Sequence, residues 1–406
     1  MKTHRTLSQG SGASRGISRR GMVKAMGAVA GAALAGESLF AQQRPSPPSV
    51  VTNPPRDFSQ TTTYFFDPDV LIVDPSFEGL VVPVNSIKRL WTGGLWCEGP
   101  AWSSVGRFLV FSDIGNNVQM RWLEDNNNVT VFRTPSNNSN GNTFDYQGRQ
   151  LSCEHLTRRV VRYEHDGTIT IVADKYNGKR LNSPNDIVAH PDGSIWFTDP
   201  PYGGQLFEGQ IDAAGTGLNQ AGRVNPRIGT PPDMGNFHRE LPTGVYRVDP
   251  GGRIDLMADE GVLPDPNGLA FSPDQKKLYV VSFAKFPGDT GRGGDRSVYV
   301  FDVAANNRLG APKLFSDFMV DGVKCAPDGI RVDVDGNLWA GSNAGREVGY
   351  NGVTVWNPAG KLIGRIRLPE VCANITFGGP KRNRLFMTAS QSLYAYYTNT
   401  QGAGPS

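Results

Sequence analysis

Residues Ser183 to Gly203 read SPNDIVAHPDGSIWFTDPPYG. An Asn-Asp pair opens an apolar run, a Pro-Asp-Gly turn interrupts it, and an aromatic-rich run follows. That order describes two antiparallel strands joined by a tight turn. The unusual feature is Asn185, an amide placed where the chain enters an apolar strand. A buried amide needs hydrogen-bond partners, so its position calls for a structural reason. The rest of the chain supplies one by repeating the arrangement.

Five further stretches share the pattern. They are Glu98-Gly-Pro-Ala-Trp before Gly106-Arg-Phe-Leu-Val-Phe, Asn140-Gly-Asn-Thr-Phe before Gly148-Arg-Gln-Leu, and Asn267-Gly-Leu-Ala-Phe before Gln275-Lys-Lys-Leu-Tyr-Val. Asp328-Gly-Ile-Arg-Val before Gly336-Asn-Leu-Trp-Ala and Asn374-Ile-Thr-Phe before Arg382-Asn-Arg-Leu-Phe-Met complete the set. Each copy begins with Glu, Asn or Asp, and a turn follows eight residues later. A second strand pair comes after most copies, such as Gly244-Val-Tyr-Arg-Val-Asp and then Arg253-Ile-Asp-Leu-Met. Four strands per unit, with starts 42 to 82 residues apart, predict an all-β, six-bladed propeller. The run from Ser86 to Trp91 precedes the first unit and is expected to complete the last blade, which closes the ring and removes exposed sheet edges.

A propeller sets the first strand of each blade around a central channel. The six starting residues, Glu98, Asn140, Asn185, Asn267, Asp328 and Asn374, are therefore expected to ring one mouth of that channel. Asn185 is polar because it faces the axis. Two carboxylates and four amides form a hard oxygen donor set, suited to Ca²⁺ and less readily to Mg²⁺ or Mn²⁺. A Zn²⁺ site built on thiolate or imidazole is disfavoured, although Zn²⁺ itself stays among the candidates. The alternative is a ring of amides bonded to each other and to channel water. Two converging carboxylates argue against it, since neighbouring anions repel unless a cation or proton neutralises them.

Composition agrees with this reading. Gly (49) and Pro (29) are abundant in the 406 residues, which points to many short strands joined by turns. The formal net charge of +3 is unevenly placed, because residues 1–41 carry six Lys or Arg against one acid. The remainder holds 35 basic and 37 acidic residues, a net of −2, so the body of the protein is no basic nucleic-acid binder. Within residues 1–41, Ser18-Arg19-Arg20-Gly21-Met22-Val23-Lys24 resembles a twin-arginine export motif, followed by a small-residue apolar run from Ala25 to Ala35. That run of eleven residues is well short of the ~20 needed to span a bilayer. The expected organisation is a signal peptide at 1–41, a Pro-rich linker at 42–60 and the propeller at 61–400. Periplasmic or secreted localisation follows, with no membrane contact after cleavage.

Several motifs carry a family resemblance. Glu98-Gly-Pro-Ala-Trp, Arg180-Leu-Asn-Ser-Pro-Asn185-Asp, Phe197-Thr-Asp-Pro-Pro-Tyr-Gly203, Pro266-Asn267-Gly-Leu-Ala and Pro327-Asp328-Gly resemble the senescence-marker-protein/gluconolactonase family, and its bacterial gluconolactonase branch in particular. The similarity runs from about Asp74 to about Tyr396. It implies a six-bladed propeller lactonase acting on a sugar lactone, with a divalent cation on the axis. Glu98, Asn185, Asn267 and Asp328 are similar to the family's metal ligands, and Asp328 to its acid/base residue. Asn140 and Asn374 come from the repeat instead, as substrate-binding candidates. Some animal relatives carry an arginine where this chain has Ser183, which makes Arg180 a further substrate-binding candidate.

Lactone hydrolysis also follows from the ring's chemistry. A cation with open positions polarises a carbonyl and stabilises the developing oxyanion, and Ca²⁺ acidifies water weakly enough that a carboxylate base, Asp328, is needed. No Gly-x-Ser-x-Gly elbow occurs in residues 61–400 and the five histidines follow no triad pattern, which argues against a serine hydrolase. The same architecture would serve a phosphotriesterase or arylesterase, a non-catalytic Ca²⁺-stabilised binding propeller, or a strictosidine-synthase-like propeller. His155 stands near the end of a second strand, where it either meets substrate or makes a structural hydrogen bond. Trp102, Trp196 and Trp339 sit at strand spacing and are expected in the core. His190 is expected in solvent on the far face. Long connections at Gly204–Glu240 and Phe286–Arg296 are expected to wall the pocket. Cys97, Cys153, Cys325 and Cys372 are expected as buried thiols, with Cys97–Cys372 the one pair placed for a bridge.

If Arg19 and Arg20 direct export, changing both to Lys leaves unprocessed precursor in the cytoplasm. Fractionation and immunoblotting of the double variant read this, and a normal periplasmic yield contradicts it.

Overall fold

The computed structural model of the chain describes residues 57–59, 66–201, 203, 239–284, 292–345 and 347–405. The expected signal segment, most of the linker, nearly all of the Gly204–Glu240 connection and residues 286–291 of the other long connection lie outside these residues. The strands assemble as six antiparallel sheets around a ring. Blade 1 is Cys97–Ser103, Phe108–Asp113, Val118–Leu123 and Val129–Arg133. Blade 2 is Ser139–Phe144, Gln150–Glu154, Arg159–Tyr163 and Ile169–Ala173. Blade 3 is Ile187–Ala189, Ile195–Asp199, Gly244–Val248 and Ile254–Asp259. Blade 4 is Pro266–Phe271, Lys277–Ala284, Asp295–Asp302 and Lys313–Ser316.

The last two blades mix the two ends of the chain. Blade 5 contains Ala326–Val332, Leu338–Asn343, Gly352–Trp356 and Leu362–Arg367, and gains Val70–Ile72 as a fifth, outer strand. Blade 6 takes Cys372–Gly378, Arg384–Ala389 and Ser392–Tyr397 from the end of the chain and Lys88–Thr92 from near its start. The expected closing strand is therefore in place. Phe58, inside the stretch expected as linker, is 1% exposed and meets Tyr394 edge-on at 5.7 Å. The packed chain thus begins before residue 61.

Apolar clusters fill the gaps between blades. Trp196, Val245, Leu269 and Val280 pack blade 3 on blade 4. Trp102, Trp122 and Phe386 join blade 1 to blade 6, with Trp102 stacked on Phe386 at 6.0 Å. Trp102, Trp196 and Trp339 are all buried, as expected. The four cysteines are buried free thiols, so Cys97 and Cys372 form no bridge. His190 is half-buried rather than solvated, with Nδ1 2.7 Å from Asp192 and its ring against Phe271.

The inner strands break register at the repeat's first residues. Pairing is interrupted between Glu98 and Ala101, Ser139 and Asn142, Pro266 and Leu269, Pro327 and Ile330, and Cys372 and Asn374. Such bulges re-aim a side chain and bend the strand. In blade 3 Asn185 stands just ahead of its strand, and its N–H donates to the Thr198 carbonyl at 2.8 Å. The glycine after several ring residues lies against the next blade. A Cβ on Gly99 would lie 2.0 Å from the Asn140 carbonyl oxygen, one on Gly141 2.4 Å from that of Asn185, and one on Gly268 2.2 Å from that of Asp328. The inner strands neighbour each other in this order, and Cys372–Gly378 returns against Cys97–Ser103.

This contact predicts a position-specific cost. Gly141→Ala forces the blade 2 and blade 3 backbones apart and should destabilise by about 1–3 kcal/mol, the usual range for overpacking. Gly79→Ala meets nothing within 4 Å and should be near neutral. Urea denaturation midpoints of the two variants read the difference.

Candidate active site

All six residues expected at the ring are buried: Glu98 3%, Asn140 1%, Asn185 3%, Asn267 5%, Asp328 6% and Asn374 2% exposed. Their local bonding separates them. Glu98 Oε2 accepts from the Gly99 N–H at 2.9 Å, which fixes one carboxylate oxygen. The Asn374 amide is committed: Oδ1 accepts from the Ile375 N–H at 2.8 Å and the side chain bonds Asp186. The Asn140 amide has no hydrogen-bond partner at either atom among the described residues. No three His, Cys, Asp or Glu side chains among those residues form a metal-holding group.

Asp186, next to Asn185 in the chain, is buried and paired with Arg331. The Arg331 guanidinium lies 3.4 Å from Asp186 Oδ2 and donates to its neighbour's carbonyl, that of Ile330, at 2.7 Å. Burial raises the Asp186 pKa, and Arg331 opposes the rise. Asp186 is visible in the sequence as the partner of Asn185. Arg331 carried no signal, because the repeat places it as an ordinary inner-strand residue.

The rim beside blade 3 contains the other predicted side chains. Arg180 belongs to a two-stranded ribbon, Lys175–Tyr176 with Lys179–Arg180, and is exposed. Its guanidinium donates to the Thr157 carbonyl at 3.3 Å and its N–H to Glu240 at 3.1 Å. His155 is 1% exposed and packed under Gly203, where a Cβ would come within 2.1 Å of its ring. Burial holds its pKa down at about 3, so the imidazole is neutral. Asp199 escaped the sequence reading although it lies within Phe197-Thr-Asp-Pro. Its Oδ2 accepts from the Asn182 N–H at 2.8 Å, and burial pushes its pKa up to about 7. The residues that lead into the Gly204–Glu240 connection are held by Ser183, whose Oγ donates to Pro200 O and accepts from the Gly203 N–H.

Comparison with known proteins adds a family to this geometry. A family described as "SMP-30/Gluconolactonase/LRE-like region" matches residues 96–391. A gluconolactonase from Zymomonas mobilis is 29% identical, with 81% of this chain and 85% of that protein covered. The structure of a gluconolactonase from Xanthomonas campestris superposes with a TM-score of 0.62 at 32% identity, covering 80% of this chain and 94% of that one. A regucalcin from Agrobacterium tumefaciens, described as a calcium-binding protein, shares the fold at 16% identity, with a TM-score of 0.55 over 78% of this chain and 94% of that one.

The buried neutral His155 predicts acid sensitivity. Above its ordinary pKa of about 6.5 the folded and unfolded states bind the same number of protons. As pH falls from there toward about 3, only the unfolded state gains a proton, so stability is lost at up to about 1.4 kcal/mol per pH unit. His155→Phe should show a shallower slope between pH 6 and 4 in urea titrations. An unchanged slope means that the imidazole protonates in the folded state.

Proposed function

The chain belongs to the SMP-30/gluconolactonase/LRE-like family, and on that premise we propose that it hydrolyses an aldonolactone such as glucono-1,5-lactone to the aldonic acid. Glu98, Asn185, Asn267 and Asp328 hold a divalent cation in this reading. The observation that carries it is the Asn140 amide, buried with neither atom partnered among the described residues, on a backbone packed against Gly99, the residue after Glu98. A polar group left so costs about 1–3 kcal/mol, a cost that a ligand at the mouth relieves. The donor set contains oxygen only, which fits Ca²⁺ first, then Mg²⁺ or Mn²⁺, with Zn²⁺ least suited. The A. tumefaciens regucalcin is a calcium-binding protein, in agreement with that order.

When bound, the cation supplies Lewis-acid polarisation of the lactone carbonyl and stabilises the oxyanion. The remaining work belongs to side chains. Asp328 takes a proton from the attacking water as the water oxygen bonds to the carbonyl carbon. The bond from that carbon to the ring oxygen then breaks, and Asp328 returns the proton to the departing oxygen. The products are a carboxylic acid and a free hydroxyl on one chain. Asn140 offers an N–H₂ and a carbonyl to the lactone's hydroxyls, and Arg180 is the candidate for a charged contact at the rim. His155 acts through the Gly203 segment above it, and Asn374 through Asp186. The substrate is met outside the cytoplasm if residues 1–41 act as a twin-arginine signal.

Two substitutions separate the roles. Asp328→Asn keeps an oxygen ligand and removes the base, so it should retain the cation while turnover falls by about 10²–10⁴-fold. Glu98→Gln should instead weaken cation binding, with activity partly restored by excess cation. Metal titration and lactone hydrolysis, corrected for spontaneous ring opening, read both. Full activity of Asp328→Asn with metal bound means that the base is elsewhere. Undiminished turnover of the parent after complete chelation removes the cation from the reading.

A further inference from the structure

The gap between blades 1 and 2 differs from the others. Its apolar cluster is small, built on Ala101, Val110 and Phe144. The rest is a buried hydrogen-bond network that starts at Arg133, on the outer strand of blade 1. Arg133 lies 3.7 Å from the centroid of the Tyr163 ring. Its Nη1 donates to two amide oxygens, Gln119 Oε1 at 2.7 Å and Gln150 Oε1 at 2.6 Å. A guanidinium only donates, so both glutamines must turn their oxygens toward it and their N–H₂ groups inward. Gln119 Nε2 then donates to Asn142 Oδ1 at 3.0 Å and Gln150 Nε2 to the same oxygen at 3.2 Å. With its oxygen so occupied, Asn142 points its N–H₂ at the ring. Nδ2 donates to the Gly99 carbonyl at 2.9 Å, the Asn140 carbonyl at 3.0 Å and Ser112 Oγ at 3.0 Å.

Those two carbonyls belong to the bulged backbone that carries Glu98 and Asn140. The bulges remove them from the strand ladder between Glu98 and Ala101 and between Ser139 and Asn142. Asn142 donates to both, and the Ser112 hydroxyl donates to the Asn140 carbonyl as well, at 2.8 Å. Both glutamine oxygens accept from Arg133 and the Asn142 oxygen from the two glutamines. Gln150 Nε2 also donates to Gln119 Oε1 at 3.2 Å, and Gln119 Nε2 to Ser139 and Ser152 Oγ at 3.2 and 3.0 Å, so the guanidinium sets the orientation of the amides. Gln119, Asn142 and Gln150 are each at most 4% exposed, which leaves no solvent to compensate a broken link.

From this geometry we infer that Arg133 and Asn142 are positioning residues, which act through Gln119 and Gln150 to hold Glu98 and Asn140 in place at the channel mouth. The inference rests on the reading of the ring as a cation site. Outer-shell partners of metal ligands typically change affinity by about 10–100-fold when removed. Arg133 does so from the outer strand of its blade, through aligned amides.

The test is calorimetric titration of the metal-free full chain with Ca²⁺ alone. Arg133→Met and Asn142→Leu should each weaken Ca²⁺ binding about 10-fold or more, and Arg133→Lys, still a donor-only cation, should recover much of the loss. Val110→Ala loosens the apolar part of the same gap without touching the network. It should lower the melting temperature while leaving Ca²⁺ affinity within about 2-fold of the parent, and melting scans on all four variants give the comparison. Folded Arg133→Met and Asn142→Leu proteins that bind Ca²⁺ like the parent overturn the positioning role. So does a loss in Val110→Ala as large as theirs, since affinity would then follow packing. A parent that takes up no Ca²⁺ overturns the reading of the ring, and the positioning role with it.

Discussion

Each inner strand must leave its ladder near the point where it meets the next blade, and the rest of the structure depends on that constraint. Backbones at the mouth approach so closely that Gly99, Gly141 and Gly268 have no room for a Cβ against the neighbouring blade. A regular strand alternates its side chains between two faces and would turn the first residue of the repeat into an inter-blade gap. The bulge tips that residue toward the axis instead. One local distortion, repeated round the ring, therefore supplies both the close packing of the blades and the convergence of Glu98, Asn140, Asn267, Asp328 and Asn374.

A bulge frees backbone groups, and buried free groups are costly. The chain answers in different ways around the ring. In blade 6, the Thr388 hydroxyl donates to the Asn374 carbonyl at 3.0 Å. Between blades 2 and 3, the Gly141 N–H reaches the Asn185 carbonyl at 2.8 Å. Between blades 1 and 2 the answer is a chain of amides anchored on an arginine. That gap gives up apolar packing, which elsewhere involves Trp102, Trp196 and Trp339, in exchange for directional bonds. Hydrophobic contact holds blades together without fixing a rotation, whereas a satisfied polar network specifies one arrangement.

Charge follows the same geometry. The Glu98 and Asp328 carboxylates are buried, and the Arg331 guanidinium is paired with Asp186. Asn374 bonds Asp186, while the Asn140 amide is uncommitted among the described residues. Two amides that the repeat makes equivalent are thus different in environment.

The primary sequence alone determined the number of blades, the start of each inner strand and the closing strand. These were legible because a strand's period is short and the repeat interval of eight residues is constant, so local pattern suffices. The likeness of Asn185, Asn267 and Asp328 to one family's motifs was also a local property. Tertiary structure decided what depends on distance across the channel. Arg331 meets Asp186 although 145 positions separate them, and Asn142 reaches Gly99 across 43. No spacing along the chain encodes such a contact. It arises only when closure of the ring brings two bulges face to face, and it is there that an ordinary strand asparagine or arginine acquires its role.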